Sequence, residues 1–115
     1  MVFEDLKIWK EGMRISLIIY KLLKDCRDFS LKDQMQRAAV SIPSNIAEGF
    51  ERQTNKEYVR FLFIAKGSCG ELRTQLYLAK ELNYINNEDF KDLIERCKLL
   101  SSQTQSLIRV RLQEK

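Results

Sequence analysis

The chain has 115 residues, 44% of them hydrophobic and 31% charged, with a formal net charge of +4. That length suits one domain burying roughly two-thirds of its unfolded surface, and that balance suits a globular protein rather than a disordered tail. There is no histidine, so the commonest general base and transition-metal ligand are missing, and no apolar run approaches the ~18 residues that a membrane-spanning helix needs.

The first helix is expected from about Glu4 to Cys26. At ~100° per residue, Leu6, Trp9, Met13, Ile15, Ile19, Tyr20, Leu22 and Leu23 spread over more than half of its circumference. A surface helix of a monomeric bundle needs a narrower stripe, so this one is expected to be buried on more than one side. Lys7, Lys10, Arg14, Lys21 and Lys24 share the remaining arc.

The second helix is expected to begin at Ser30 as N-cap, with Asp33 three residues on, close to a capping box. Leu31, Met35, Ala38, Ala39, Ile42, Ile46, Gly49 and Phe50 form its apolar face. The stretch SIPSN, with the only proline of the chain, sits in the middle. Pro43 removes the backbone bond to the Ala39 carbonyl, at an intrinsic cost of roughly 3 kcal/mol inside a helix. The apolar register runs on past it, so a kinked helix is expected rather than a stop, with small residues that admit a close neighbour. On the other side Ser41, Asn45, Glu48 and Arg52 recur at helical spacing, with Glu48 and Arg52 in the favourable i, i+4 order. This stripe reads either as a solvated face or as a hydrogen-bonded contact with another helix or subunit.

The third helix opens on the capping box Thr54-x-x-Glu57 and runs to about Leu82. Tyr58, Phe61, Leu62, Ala65, Cys69, Leu72, Leu76 and Ala79 give its main face. Val59, Phe63, Gly70 and Tyr77 give a second, nearly opposite one, so two packing partners are expected, and these four are the candidate oligomer interface. The glycines of GSCG, 67–70, lack the spacing and lysine of a phosphate-binding loop and read as helix-packing positions. The fourth helix is expected after NYINN, capped by Asn86 or Asn87, with Phe90, Leu93, Cys97, Leu100, Thr104, Leu107 and Leu112 facing inward to the C-terminus. Short connections make consecutive helices antiparallel neighbours. The expected fold is all-α, a single-domain up-down-up-down four-helix bundle.

Cys26, Cys69 and Cys97 are widely spaced and read as small buried hydrophobes. Without histidine there is neither a Glu-x-x-His di-iron pattern nor a base for a serine or cysteine nucleophile, so no enzyme activity, metal, cofactor or small-molecule substrate is expected. The absence of a charged-then-apolar leader makes the cytoplasm the expected location, with no membrane association. The basic arc of the first helix is either its hydrated side or a phosphate-binding row for RNA, and Arg109, Arg111 and Lys115 add charge near the C-terminus.

FEDLKIWKEG, SLKDQMQRAAVSIPSNIAEGFER and FLFIAKGSCGELRTQLYLAKELNYI resemble, in matching order over nearly the whole chain, the four-helix-bundle proteins encoded in bacterial ribosomal-RNA intervening sequences. RAAVSIPSNIAEG carries the most specific part of the likeness; in the fourth helix only the apolar spacing matches. The resemblance implies a bacterial bundle that assembles into a ring-like homopentamer. Related accessory proteins of diversity-generating retroelements, which share the architecture, bind RNA and a reverse transcriptase. The excess apolar surface on the first and third helices independently favours self-association as the function, with RNA binding by the basic faces of the oligomer as the alternative.

Overall fold

The computed structural model describes residues 1–113, so Lys115 lies outside the described residues. Four helices follow one another: α1 (Lys7–Leu22), α2 (Phe29–Glu51), α3 (Asn55–Glu81) and α4 (Asn87–Gln113). No strand occurs among the described residues. The helices form a rod of 48 × 20 × 20 Å in which each packs on its chain neighbours and α1 also touches α4. Neither α1 and α3 nor α2 and α4 pack together, so each pair occupies a diagonal of the bundle.

The core is one continuous cluster with a stripe from every helix. Ile15 and Ile19 come from α1, and Met35, Ala39, Ile42 and Ile46 from α2. Leu62, Leu72 and Leu76 come from α3, and Leu93, Leu100 and Ile108 from α4. Each is essentially free of water, and burying such side chains is worth about 1.5–3 kcal/mol apiece. Ser16 and Thr104 are also buried, and their hydroxyls donate back to the carbonyls of Gly12 and Leu100 at 2.9 and 2.7 Å.

The structure departs from expectation at both ends of α1, at the cap of α2 and in the inward positions of α4. Glu4 lies not in α1 but in a 3-10 turn over Phe3–Asp5, separated from α1 by an extended Leu6, and α1 ends at Leu22 rather than Cys26. The cap of α2 is Asp28 rather than Ser30: its Oδ1 accepts from the Leu31 amide at 3.1 Å. Asp28 supplies the negative charge that a helix N-terminus favours, and the Tyr84 hydroxyl fixes its other oxygen at 3.0 Å. In α4, Ile108 takes the buried position, with Leu107 half-buried and Leu112 exposed. A straight helix drifts off a seven-residue spacing, and one turn beyond Thr104 the inward position is 108.

Elsewhere the caps fall where the residues suggest. Thr54 Oγ1 accepts from the Glu57 amide at 3.2 Å, and Asn86 Oδ1 from the Asp89 amide at 2.7 Å. After α3, Asn83 takes a positive φ of 62°, while the amides of Asn83 and Tyr84 donate to the Lys80 and Ala79 carbonyls, both at 2.9 Å. That pair of bonds is a Schellman closure, which lets the chain reverse and bury Ile85.

Pro43 does not end α2, which stays helical to Glu51. Its ring is buried against Gly12 of α1, where an added Cβ would lie 3.2 Å from the proline Cδ. Gly49 plays the same part against α3: a Cβ there would come within 2.8 Å of the Phe61 Cβ. The two small residues set how closely α2 meets its neighbours.

Candidate functional site

The polar stripe of α2 divides in two. Ser41 Oγ lies 2.8 Å from Ser68 Oγ of α3, and Asn45 Nδ2 donates to both the Ser41 carbonyl and hydroxyl, at 2.7 and 2.9 Å. Ser68 is buried and reaches the Ile64 carbonyl at 3.2 Å, so this half is a hydrogen-bonded seam between α2 and α3. The other half is exposed. Arg52 stands 3.7 Å from Glu48 and 3.6 Å from Glu57, with its guanidinium 4.8 Å from the centre of the Phe61 ring. Exposed pairs of this kind contribute about 0–1 kcal/mol and mainly orient the chain at the turn into α3.

The basic residues Lys7, Lys10, Arg14, Lys21 and Lys24 are all exposed. Arg14 is paired with Glu11 at 3.0 Å, and Glu11 also approaches Arg96 of α4 at 3.7 Å. Lys24 sits in the turn beyond α1. Arg111, half-buried, places its guanidinium 5.0 Å from the Tyr58 ring centre, so it belongs to the bundle rather than to an open basic patch.

The second face expected on α3 is not continuous. Val59 is buried within its own chain, 7% exposed, because position 59 turns toward the end of α4. Phe63 and Tyr77 are 48% and 50% exposed. The Tyr77 ring meets Phe90 edge-on at 5.0 Å between centres, so α4 covers one side of it. Gly67 and Gly70 are open: beyond its own stretch of helix, an added Cβ at either would meet no atom of the described residues within 4 Å. The outer side of α3 is therefore a strip with Phe63, Ile64, Tyr77 and Leu78 as apolar knobs around a glycine-lined depression.

A second apolar surface opens between α1 and α2. Phe3, Trp9, Met13, Leu17, Tyr20, Val40 and Pro43 line a groove of about 570 Å³, and Leu17, at its lip, is 57% exposed. Leu17, Val40, Ile64 and Leu78 were not singled out by sequence reasoning. Ile64 and Leu78 share the helical phase of Gly67 and could have been found from it. The groove needs the α1–α2 packing to exist at all.

Chemistry is sparse. Burial pushes the Cys69 thiol up to about 11 and the Cys97 thiol, which also feels Cys69, up to about 12, so neither offers a thiolate at neutral pH. Among the described residues no cluster of Cys, Asp and Glu is placed to hold a metal ion, and no helix is long and apolar enough to cross a membrane.

Residues 4–106 match the family of 23S rRNA-intervening sequence proteins. The chain belongs to that family. Among solved structures, the fold of this intervening-sequence protein is similar to that of a protein of unknown function from the S23 ribosomal protein family of Bacteroides thetaiotaomicron. The TM-score is 0.83 at 23% identity, over 88% of this chain and 97% of that one. No curated protein matches the chain.

Proposed function

We propose that this intervening-sequence protein is a non-enzymatic scaffold that works as a homo-oligomeric ring of identical bundles in the cytoplasm. The observation that carries the reading is the pair of exposed apolar surfaces, the α1–α2 groove and the α3 strip, on one 115-residue bundle. Contiguous apolar surface of this sort marks a contact face. The non-enzymatic part rests on the missing histidine and on the two buried thiols held protonated. Five subunits is the count that the family resemblance implies.

The test is Phe63→Glu. Because Phe63 is half exposed, the variant should keep its helical content and lose assembly by size-exclusion light scattering. An assembly of undiminished mass would overturn the reading.

A second reading has the oligomer bind RNA, and the observation favouring it is the exposed run Lys7, Lys10, Lys21 and Lys24, none of them ion-paired among the described residues. Repetition around a ring would multiply a weak contact. Binding to ribosomal-RNA fragments should then fall steeply with added salt and weaken in Lys10→Glu/Arg14→Glu. Salt-insensitive binding, or none, would dismiss it.

A further inference from the structure

The two apolar surfaces differ in shape, in charge and in position. One is a groove and the other a ridge with a glycine-lined depression. Lys10 and Lys21 share the α1 face of Leu17 at the groove lip, exposed and without ion pairs among the described residues. From Phe63 to the end of α3, the exposed charges are Glu71 and Glu81, equally unpaired. Of the three cations of that stretch, Lys66 and Lys80 lie toward α4, Lys66 Nζ donating to Gln105 Oε1 at 2.8 Å and Lys80 sitting 4.6 Å from the Phe90 ring centre, and Arg73 is half-buried. A groove with a basic α1 lip and a ridge with acidic flanks thus lie on different sides of the same bundle, α1 and α3 being diagonal to each other.

We propose that the occupant of the α1–α2 groove is the α3 strip of a second copy of this chain, joined head to tail. Groove and strip on one chain cannot meet, since the bundle core lies between them. Each copy therefore presents one unfilled groove and one unfilled strip until the series closes on itself, and such unlike-surface contacts generate rings where the rotation between copies closes. The missing Cβ atoms at Gly67 and Gly70 let a bulky residue from the groove lip approach the α3 backbone. Lys10 and Lys21 then face Glu71 and Glu81, while two grooves or two strips brought together would oppose like charges. This inference rests on the proposed self-assembly and says which surfaces perform it.

Cross-linking of the full chain tests it, in a Cys26→Ser background where the remaining thiols are buried. Leu17→Cys and Thr74→Cys mark the groove and the strip at exposed positions, with Ser44→Cys as a second, size-conserving groove marker. A short bismaleimide should convert Leu17→Cys/Thr74→Cys, and Ser44→Cys/Thr74→Cys, into ladders of covalently linked chains. Each single-cysteine protein should stay at the mass of one chain, at least ten-fold below the double variants in cross-linked yield. Cross-linking of a single-cysteine protein with itself would indicate like-on-like contact and overturn the proposal, as would double variants that do not cross-link. If the unmodified protein has the mass of an assembly in that last case, only the pairing fails; if it is a single chain, self-assembly fails as well.

Discussion

Replacing Gly49 by alanine probes the place where α2 turns into α3. The new Cβ would lie 2.8 Å from the Phe61 Cβ and 3.1 Å from both the Tyr58 Cδ1 and the Tyr58 carbonyl oxygen. Carbon atoms in good contact sit about 3.5–4.0 Å apart, and none of these three is the loose end of a flexible side chain. The helices must therefore separate, and overpacking of this kind costs about 1–3 kcal/mol. Alanine returns about 1 kcal/mol through helix propensity. A net loss of up to about 2 kcal/mol should lower Tm by up to about 10 °C in a domain of this size. Gly67→Ala is the control, because its Cβ meets nothing within 4 Å. Propensity alone should then raise stability by about 0.5–1 kcal/mol. Circular-dichroism melts of both, in the Phe63→Glu background so that association does not enter the apparent stability, give the comparison. If Gly49→Ala raised Tm as Gly67→Ala does, the close approach of α2 and α3 would be wrong.

The two buried thiols predict an alkaline weakness. Their folded pKa values, about 11 and about 12, stand above the ordinary 9.0, so the unfolded chain gives up these protons first. Their stabilising effect is complete below pH ~9 and lost as pH rises toward the folded values. Denaturant midpoints should therefore fall between pH ~9 and ~10.5, and fall less in Cys69→Ala/Cys97→Ala; equal slopes would count against buried, protonated thiols. Asp28→Ala should cost about 1–2 kcal/mol in urea unfolding through the lost cap, while Ser30→Ala stays within about 0.5. The reverse order would move the cap back to Ser30. The Tyr58 hydroxyl is buried with no hydrogen-bond partner among the described residues. Tyr58→Phe should leave stability unchanged or raise it by about 1 kcal/mol, and a clear loss would mean that the hydroxyl is engaged.

Helix number, order and inward faces were legible because each rests on local chemistry. Thr54 with Glu57 and Asn86 with Asp89 are caps complete within four residues, and the apolar phase of α2 survives Pro43 unbroken. What was missed depends on distant partners. Asp28 holds the start of α2 partly because Tyr84, far along the chain, binds it. Val59 and Phe63 look alike in sequence, yet only packing against α4 buries the first and leaves the second wet. The glycines of GSCG read as packing positions and proved open, since a glycine row marks a close approach without saying which body makes it. The polar stripe stayed ambiguous until Ser68 was found opposite Ser41.

Sedimentation equilibrium of the unmodified chain at micromolar concentration tests the central claim most directly. Shared burial of the α1–α2 groove and the α3 strip predicts one species at a whole-number multiple of 13.6 kDa. A single species at 13.6 kDa across that range would mean that these surfaces stay in water, and self-assembly would be refuted.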